Sequence, residues 1–341
     1  MTATSSPPPH TRGARRARGP RVIAPLVSGQ EIVLLAVIAV LWVVLGFATP
    51  AFLTAGSLRP LFIEVAPIAL IGVGMTLVIV AAGIDVSVGS QMMVCGVITA
   101  RLLVEAHVPL PLAALVSVLV GAAMGAVNGV LIAWGRVHAI IITFGTLNLF
   151  QFVGRQIFGS QTVNGIPATL DVFGRGEPGQ TLGLPHSFLL TAVIAGAVWW
   201  YLRQTPGGRH FYAIGGDALA AELAGIRVRR RVLLTYVVTG ALVGLSAVFT
   251  IAKGTTTLDQ SIGAGQELAV IAAVIIGGTS IMGGRGSVLG TVLGALLVQT
   301  VSSGVTQLGW PSNLSDLFVG VFVIVAVGTD LLRQRTRRAA R

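Results

Sequence analysis

The sequence predicts an all-α polytopic membrane protein of about ten transmembrane helices with both termini in the cytoplasm. Three observations carry this expectation. Of 341 residues, 54% are apolar and only 10% are charged, where a soluble chain carries about 25% charged. The mean hydropathy is +0.86, and the apolar residues lie in runs of about the 20 residues that cross a hydrocarbon core. The surplus of basic residues, a formal +11, sits in short segments between the runs, the arrangement that sets membrane orientation. An ordinary soluble enzyme or nucleic-acid-binding protein is excluded.

Taken in order, the runs extend from Ile32 to Ala48, Leu61 to Ala81, Val86 to Val104, Leu112 to Trp134 and Ala139 to Phe158 in the first half. The second half supplies Phe188 to Leu202, Val232 to Ala252, Leu268 to Met282, Val288 to Val305 and Leu317 to Leu332. The sixth and eighth are the shortest. Residues 1–30, with Pro7, Pro8 and Pro9 before an arginine cluster, read as a disordered basic cytoplasmic tail rather than a signal peptide. Residues 31–332 form the membrane domain, with its longest cytoplasmic loop at 203–231, and residues 333–341 a second basic tail. With the N-terminus inside, 18 basic residues fall on the cytoplasmic side and 5 on the other. Both termini are then cytoplasmic, which requires an even number of crossings.

Several chemistries lack their parts. The single cysteine, Cys95, allows no intramolecular disulfide and no multi-cysteine metal site. Five histidines fall in tails, loops or span ends, and no metalloprotease helix or nucleophile elbow can be written. The only lysine, Lys253, follows Ala252, so a phosphate-binding loop is absent too. No catalytic residue and no metal ligand is therefore expected. Glu31, Glu64, Asp85, Glu105, Asp316 and Asp330 map to span ends and the other six acids to loops. An ion-coupled carrier normally keeps a carboxylate in mid-membrane, so energy is expected from a partner.

The apolar runs carry two kinds of exception. Glycines recur at four-residue spacing at Gly121, Gly125 and Gly129, at Gly240 and Gly244, and at Gly286, Gly290 and Gly294, a pattern that lets helix backbones approach closely. Polar groups are densest in the fifth run, where Thr143, Thr146, Asn148 and Gln151 are candidates for lining a translocation path. Asn128 joins them as a candidate, although it shares the face of Gly121 and Gly125 and so also suits a helix contact.

Two glycine-rich segments reverse the chain, 83–90 and 277–287. They supply Asp85, Ser87, Gly278 and Arg285 as gating or helix-cap candidates, with Asp85 able to cap the third span. In the loop 203–231, Asp217 suits an N-cap, Ala218 to Ala224 a short helix and Gly225 its stop. A helix outside the membrane must dock either on its own bundle or on a cytoplasmic partner.

Five segments carry a resemblance: 83–90 (GIDVSVGS), 125–129 (GAVNG), 143–146 (TFGT), 212–216 (YAIGG) and 272–287 (AAVIIGGTSIMGGRGS). Together they resemble the permease subunits of ABC importers for ribose and other simple sugars, over about residues 30–330. The resemblance implies a non-catalytic subunit of the cell inner membrane, forming the path for a monosaccharide such as ribose. The implied partners are a second permease subunit, identical or related, an ABC ATPase that binds ATP and magnesium, and an extracytoplasmic sugar-binding protein. No cofactor is expected in this chain and no nucleic acid. The loop resembles the family's ATPase-coupling element, which puts Gly215, Gly216, Asp217, Ala220, Glu222 and Gly225 at the contact. The usual glutamate position holds Ala218, so Asp217 or Glu222 is expected to replace it. The alternatives are the same architecture carrying a nucleoside or furanose-like signalling molecule and, from a different class, an ion-coupled carrier or membrane enzyme.

Overall fold

A computed structural model describes residues 28–339 apart from 136, 160, 175–176 and 254–255; side chains of 177 and 329–339 are not described. Residues 1–27 of the expected N-terminal tail, and Arg136 and Arg175, fall outside the described residues, whereas 333–339 of the expected second tail continue the last helix.

The described chain is helical throughout its apolar runs: α1 (Gly29–Ala48), α2 (Ala55–Val80), α3 (Val88–Val104), α4 (Leu110–Gly135), α5 (Ala139–Phe158), α6 (His186–Gln204), α7 (Pro206–Gly216), α8 (Ala218–Leu223), α9 (Val228–Ile251), α10 (Gln266–Ile276), α11 (Val288–Gln307) and α12 (Asn313–Ala339). α1, α2, α4, α9 and α11 are long and apolar enough to cross a bilayer, and α3, α10 and Asn313–Gly328 are shorter apolar helices. Ten of these helices coincide with the ten predicted runs; α7 and α8 fill the loop between the sixth and seventh.

Several starts have a local cause. Ser28 and Glu31 close a capping box on α1. Thr205 caps α7, with Pro206 at its first turn, and Ser287 caps α11 through the amide of Gly290. α2 is apolar on every side and lies in the middle, packed by α9, α11, α10 and α6. It accommodates Pro67 where the hydroxyls of Ser246 and Thr191 donate to the carbonyls of Pro67 and Ala66.

The glycine stripes are spent inside the subunit. Gly121 and Gly125 of α4 meet Gly240 and the Tyr236 backbone of α9 with no room for a Cβ. Ser117 fixes the same seam by donating to the Gly244 carbonyl at 2.7 Å. Gly290 and Gly294 likewise seat α11 against Gly277 and Ala273.

Two sets of contacts fix the ends of the bundle. Strands β1 (Val163–Asn164) and β4 (Thr257–Leu258) pair antiparallel, tying the segment after α5 to the segment after α9; a second ribbon pairs β2 (Gln180–Thr181) with β3 (Leu184–Pro185). At the other, arginine-rich end, the Gly284 amide donates to the Val80 carbonyl at 2.9 Å. Ser287 bonds Glu31 there, so α1, α2 and α11 share that end.

Three expectations change. α10 stops at Ile276, earlier than the run to Met282, because Gly278 at φ +93° turns the chain into an irregular segment. α6 is longer than its run, reaching 19 residues. Glu64 is not at a span end: α2 begins at Ala55, which places this acid in its third turn, paired with Lys253.

Candidate functional site

At the break between α2 and α3 the chain buries an acid completely. Asp85 is 0% exposed, and its Oδ1 accepts from the Ser87 amide at 2.9 Å and the Ser87 hydroxyl at 2.6 Å. Ser87 Oγ in turn accepts from Gln91 Nε2 and Asn128 Nδ2, both at 2.8 Å, and Gln91 Nε2 also lies 3.2 Å from Asp85 Oδ2. With Asn128 Nδ2 also 3.4 Å from Asp85 Oδ2, four donors surround one carboxylate and replace the water it lost, which is what a buried charge requires. The expected cap is corrected in detail. Ser87 is the N-cap residue of α3, and Asp85 folds the turn before it rather than bonding the helix amides. Asn128 reaches this cluster from α4, where it makes the helix contact that its shared face with Gly121 and Gly125 suited.

The fifth span divides in the same way. Thr143 is buried and donates to the Ile84 carbonyl at 3.2 Å, and buried Thr146 donates to the Thr143 carbonyl. Both serve packing. Gln151 is half-buried, whereas Asn148 is exposed, its amide donating to the Phe144 carbonyl at 3.0 Å. Phe144, Leu149 and Phe152 are exposed around it. The other exposed membrane faces, on α1, α4 and α6, present apolar side chains. An uncovered amide is costly against lipid, so this face of α5 requires water or another protein.

The loop 203–231 forms an elbow of two helices. Asp217 Oδ1 accepts the Ala220 amide at 3.0 Å, capping α8, and Gly225 at φ +85° ends it. Sequence patterning missed α7, because its glycines at 207, 208, 215 and 216 read as loop. The cue available was Thr205-Pro206, an N-cap followed by proline. α7 is seated through Gly215, where a Cβ would collide with the Val80 carbonyl and stand 2.5 Å from the Gly284 amide nitrogen. Tyr212 donates to the Gly286 carbonyl at 3.2 Å, and burial pushes its phenol up, which keeps the proton that makes this bond. Gly278 packs on the Gln30 side chain, and Arg285 lies half-exposed in the same irregular segment, 277–287.

α8 itself is almost bare. Ala221 alone is buried, while Ala220, Glu222, Leu219 (68%) and Leu223 (82%) are exposed. The two leucines are four residues apart and therefore share one helix face. Sequence reasoning passed over them in favour of Asp217, which is spent on the cap. Among the described residues no cluster of His, Cys, Asp and Glu could hold a metal ion, and Cys95 is buried.

Comparison with known proteins agrees with this architecture. A family described as branched-chain amino acid transport system permease component matches residues 57–327. The ribose import permease protein RbsC of Escherichia coli K12 is 34% identical over 297 residues, 86% of this chain and 92% of its own. The D-allose transport system permease protein AlsC of the same strain is 31% identical, covering 87% and 90%. The autoinducer 2 import system permease protein LsrC of Shigella flexneri is 30% identical, covering 89% and 87%. No solved structure matches the chain. With a matching profile over most of its length and relatives at this identity, the chain is a multi-pass inner-membrane protein that belongs to the permease family of ABC importers for ribose and other simple sugars.

Proposed function

We propose that this permease carries ribose or a closely related monosaccharide inward, as one of two permease subunits driven by an ABC ATPase and supplied by an extracytoplasmic binding protein. The observation that carries the coupling assignment is the exposed Leu219 and Leu223 pair on α8. Two large apolar side chains on a capped helix outside the apolar bundle call for a protein groove, and their end of the chain holds most of its arginines. That end is cytoplasmic under the positive-inside rule, with ten crossings and both termini inside. ATP and magnesium belong to the ATPase, and this chain performs no chemistry.

The path is assigned to the exposed face of α5, with Asn148 offering hydrogen bonds and Phe144 and Phe152 offering apolar faces to a sugar's C–H surface. The ribose permeases among the relatives, at 34% and 32% identity, favour a monosaccharide over a nucleoside or signalling molecule. Leu219→Asp with Leu223→Asp tests the coupling. The permease is expected to insert and fold, to lose co-purification with the ATPase and to lose ATP-driven ribose uptake. Full uptake by the double variant would refute the assignment.

A further inference from the structure

A cavity of about 740 Å³ opens between α10, α11 and α12, away from the α2–α3 break and from the coupling elbow. Its volume falls within the range of small-molecule sites, about 300–1,000 Å³. Five polar side chains line it: Gln266 at the start of α10, Gln299 and Ser302 on α11, and Ser315 and Asp316 in the first turn of α12.

Their depths form a series. α11 ends at Gln307, at the end of the bundle opposite the arginine-rich loops. At 1.5 Å per residue, Ser302 lies about 8 Å and Gln299 about 12 Å inward from there. Against a hydrocarbon core of about 30 Å, the polar series reaches close to the midplane. At its floor Gln299 donates to the Glu64 carbonyl at 3.3 Å. At its mouth the buried Oε1 of Gln266 has no hydrogen-bond partner.

Polar groups at this depth are tolerated where they line a water-filled cavity or meet a polar solute. A buried amide oxygen without a partner is an acceptor waiting for a donor. The remaining wall is apolar, including Ile68, Val298 and Val323. Amide, hydroxyl and carboxylate groups set against an apolar wall match a molecule with hydroxyls on its rim and C–H groups on its faces. Among the described residues no Lys or Arg lines the cavity, and Asp316 is at its mouth. An anionic solute would meet a carboxylate with no compensating cation, and an amino acid would find nothing to hold its carboxylate.

We infer that this cavity is an outer vestibule subsite, which receives a neutral polyhydroxylated solute after release from the binding protein and holds it near mid-membrane. The inference rests on the sugar-import reading above. It adds the place and the residues at which the sugar is first held by the permease itself.

The test uses the complete transporter, with ATPase and binding protein, reconstituted in vesicles. Cys95 is buried, so a cysteine placed at 302 by Ser302→Cys is the reactive thiol in this chain, and Ser315→Cys provides a second reporter nearer the mouth. A membrane-impermeant charged methanethiosulfonate added outside is expected to modify both. D-Ribose at ten times its apparent Kd is expected to slow modification at 302 about tenfold, since about one site in eleven is then empty. Modification only by a lipid-soluble maleimide would identify a lipid-filled crevice and overturn the inference. So would impermeant labelling that ribose leaves unchanged in a transporter that takes ribose up. Ribose uptake by the unsubstituted complex is measured alongside. Its failure would defeat the ribose reading, while the impermeant reagent would still decide whether the cavity is wet.

Discussion

Replacing Gly125 by alanine separates close packing from coincidence. A Cβ there would stand 2.8 Å from the Tyr236 carbonyl carbon and nearer still to its oxygen, both backbone atoms of α9. Ordinary van der Waals contact begins at 3.4 Å and the oxygen would stand at 2.1 Å, so the two helices must part by about 1.3 Å there. The displacement is expected to reach the buried acid, because Asn128 is one turn further along α4 and a shift of that size would take its 2.8 Å bond to Ser87 Oγ beyond about 3.5 Å, past the limit of a useful hydrogen bond. Overpacking of this kind costs about 1–3 kcal/mol, or roughly 5- to 150-fold in the folded-to-unfolded ratio. The assay is the apparent melting temperature of the detergent-purified permease, with Gly196→Ala as control. Gly196 lies in α6, and an added methyl there would meet nothing within 4 Å, so alanine should be neutral or slightly stabilising. Equal melting of Gly125→Ala and the control would refute the packing account.

Three further outcomes are expected. Asp85→Asn keeps a carbonyl oxygen toward the Ser87 amide and hydroxyl but turns its N–H₂ on Gln91 Nε2 and Asn128 Nδ2, which already donate to Oδ2; it should lower the melting temperature, at about 1–3 kcal/mol for each orphaned group. Asp217→Ala removes the cap on α8, worth about 1 kcal/mol, and should reduce ATP-driven uptake with little change in global melting. In the segment after α9, hydrogen bonds from Ser261 Oγ and its amide hold the Asp259 carboxyl below its ordinary value of 3.8. A lowered folded-state value means that the turn is supported above the ordinary carboxylate range and loosens as pH falls through the lowered one. The protection factor of the Ser261 amide, its exchange relative to an unstructured amide at the same pH, should therefore fall under acid, and Asp259→Ala should lower it at neutral pH.

Much of the architecture was legible because hydrophobic length is a strong signal: all ten runs became helices. The short helix after Asp217 was also legible, since an N-cap, an alanine-rich turn and a terminal glycine each have a local cause. What escaped was set by tertiary contact. Thr143, Thr146 and Asn128 are path candidates by polarity alone; that Thr143 meets the Ile84 carbonyl, Asn128 meets Ser87 and Thr146 bonds back to its own helix depends on which face each turns inward, and this is set by the neighbouring elements. α7 escaped because four glycines lower helix propensity, and only its seat against α2 and the 277–287 segment offsets that. Glu64 was placed at a span end because α2 starts six residues before its apolar run.

The seat of α7 has a mechanical consequence. Gly215, Val80 and Gly284 meet backbone to backbone, with no flexible side chain between them to absorb a displacement. On the docking proposed for α8, a push received by its two leucines would act on a lever whose fulcrum is this three-way junction, its short arm bearing on the inner end of the central helix and on the hairpin leading into α11. Stroke and force would then pass together to the two elements that flank the buried acid and the vestibule floor, and a movement of the proposed ATPase partner would be felt at mid-membrane without any of the intervening helices bending.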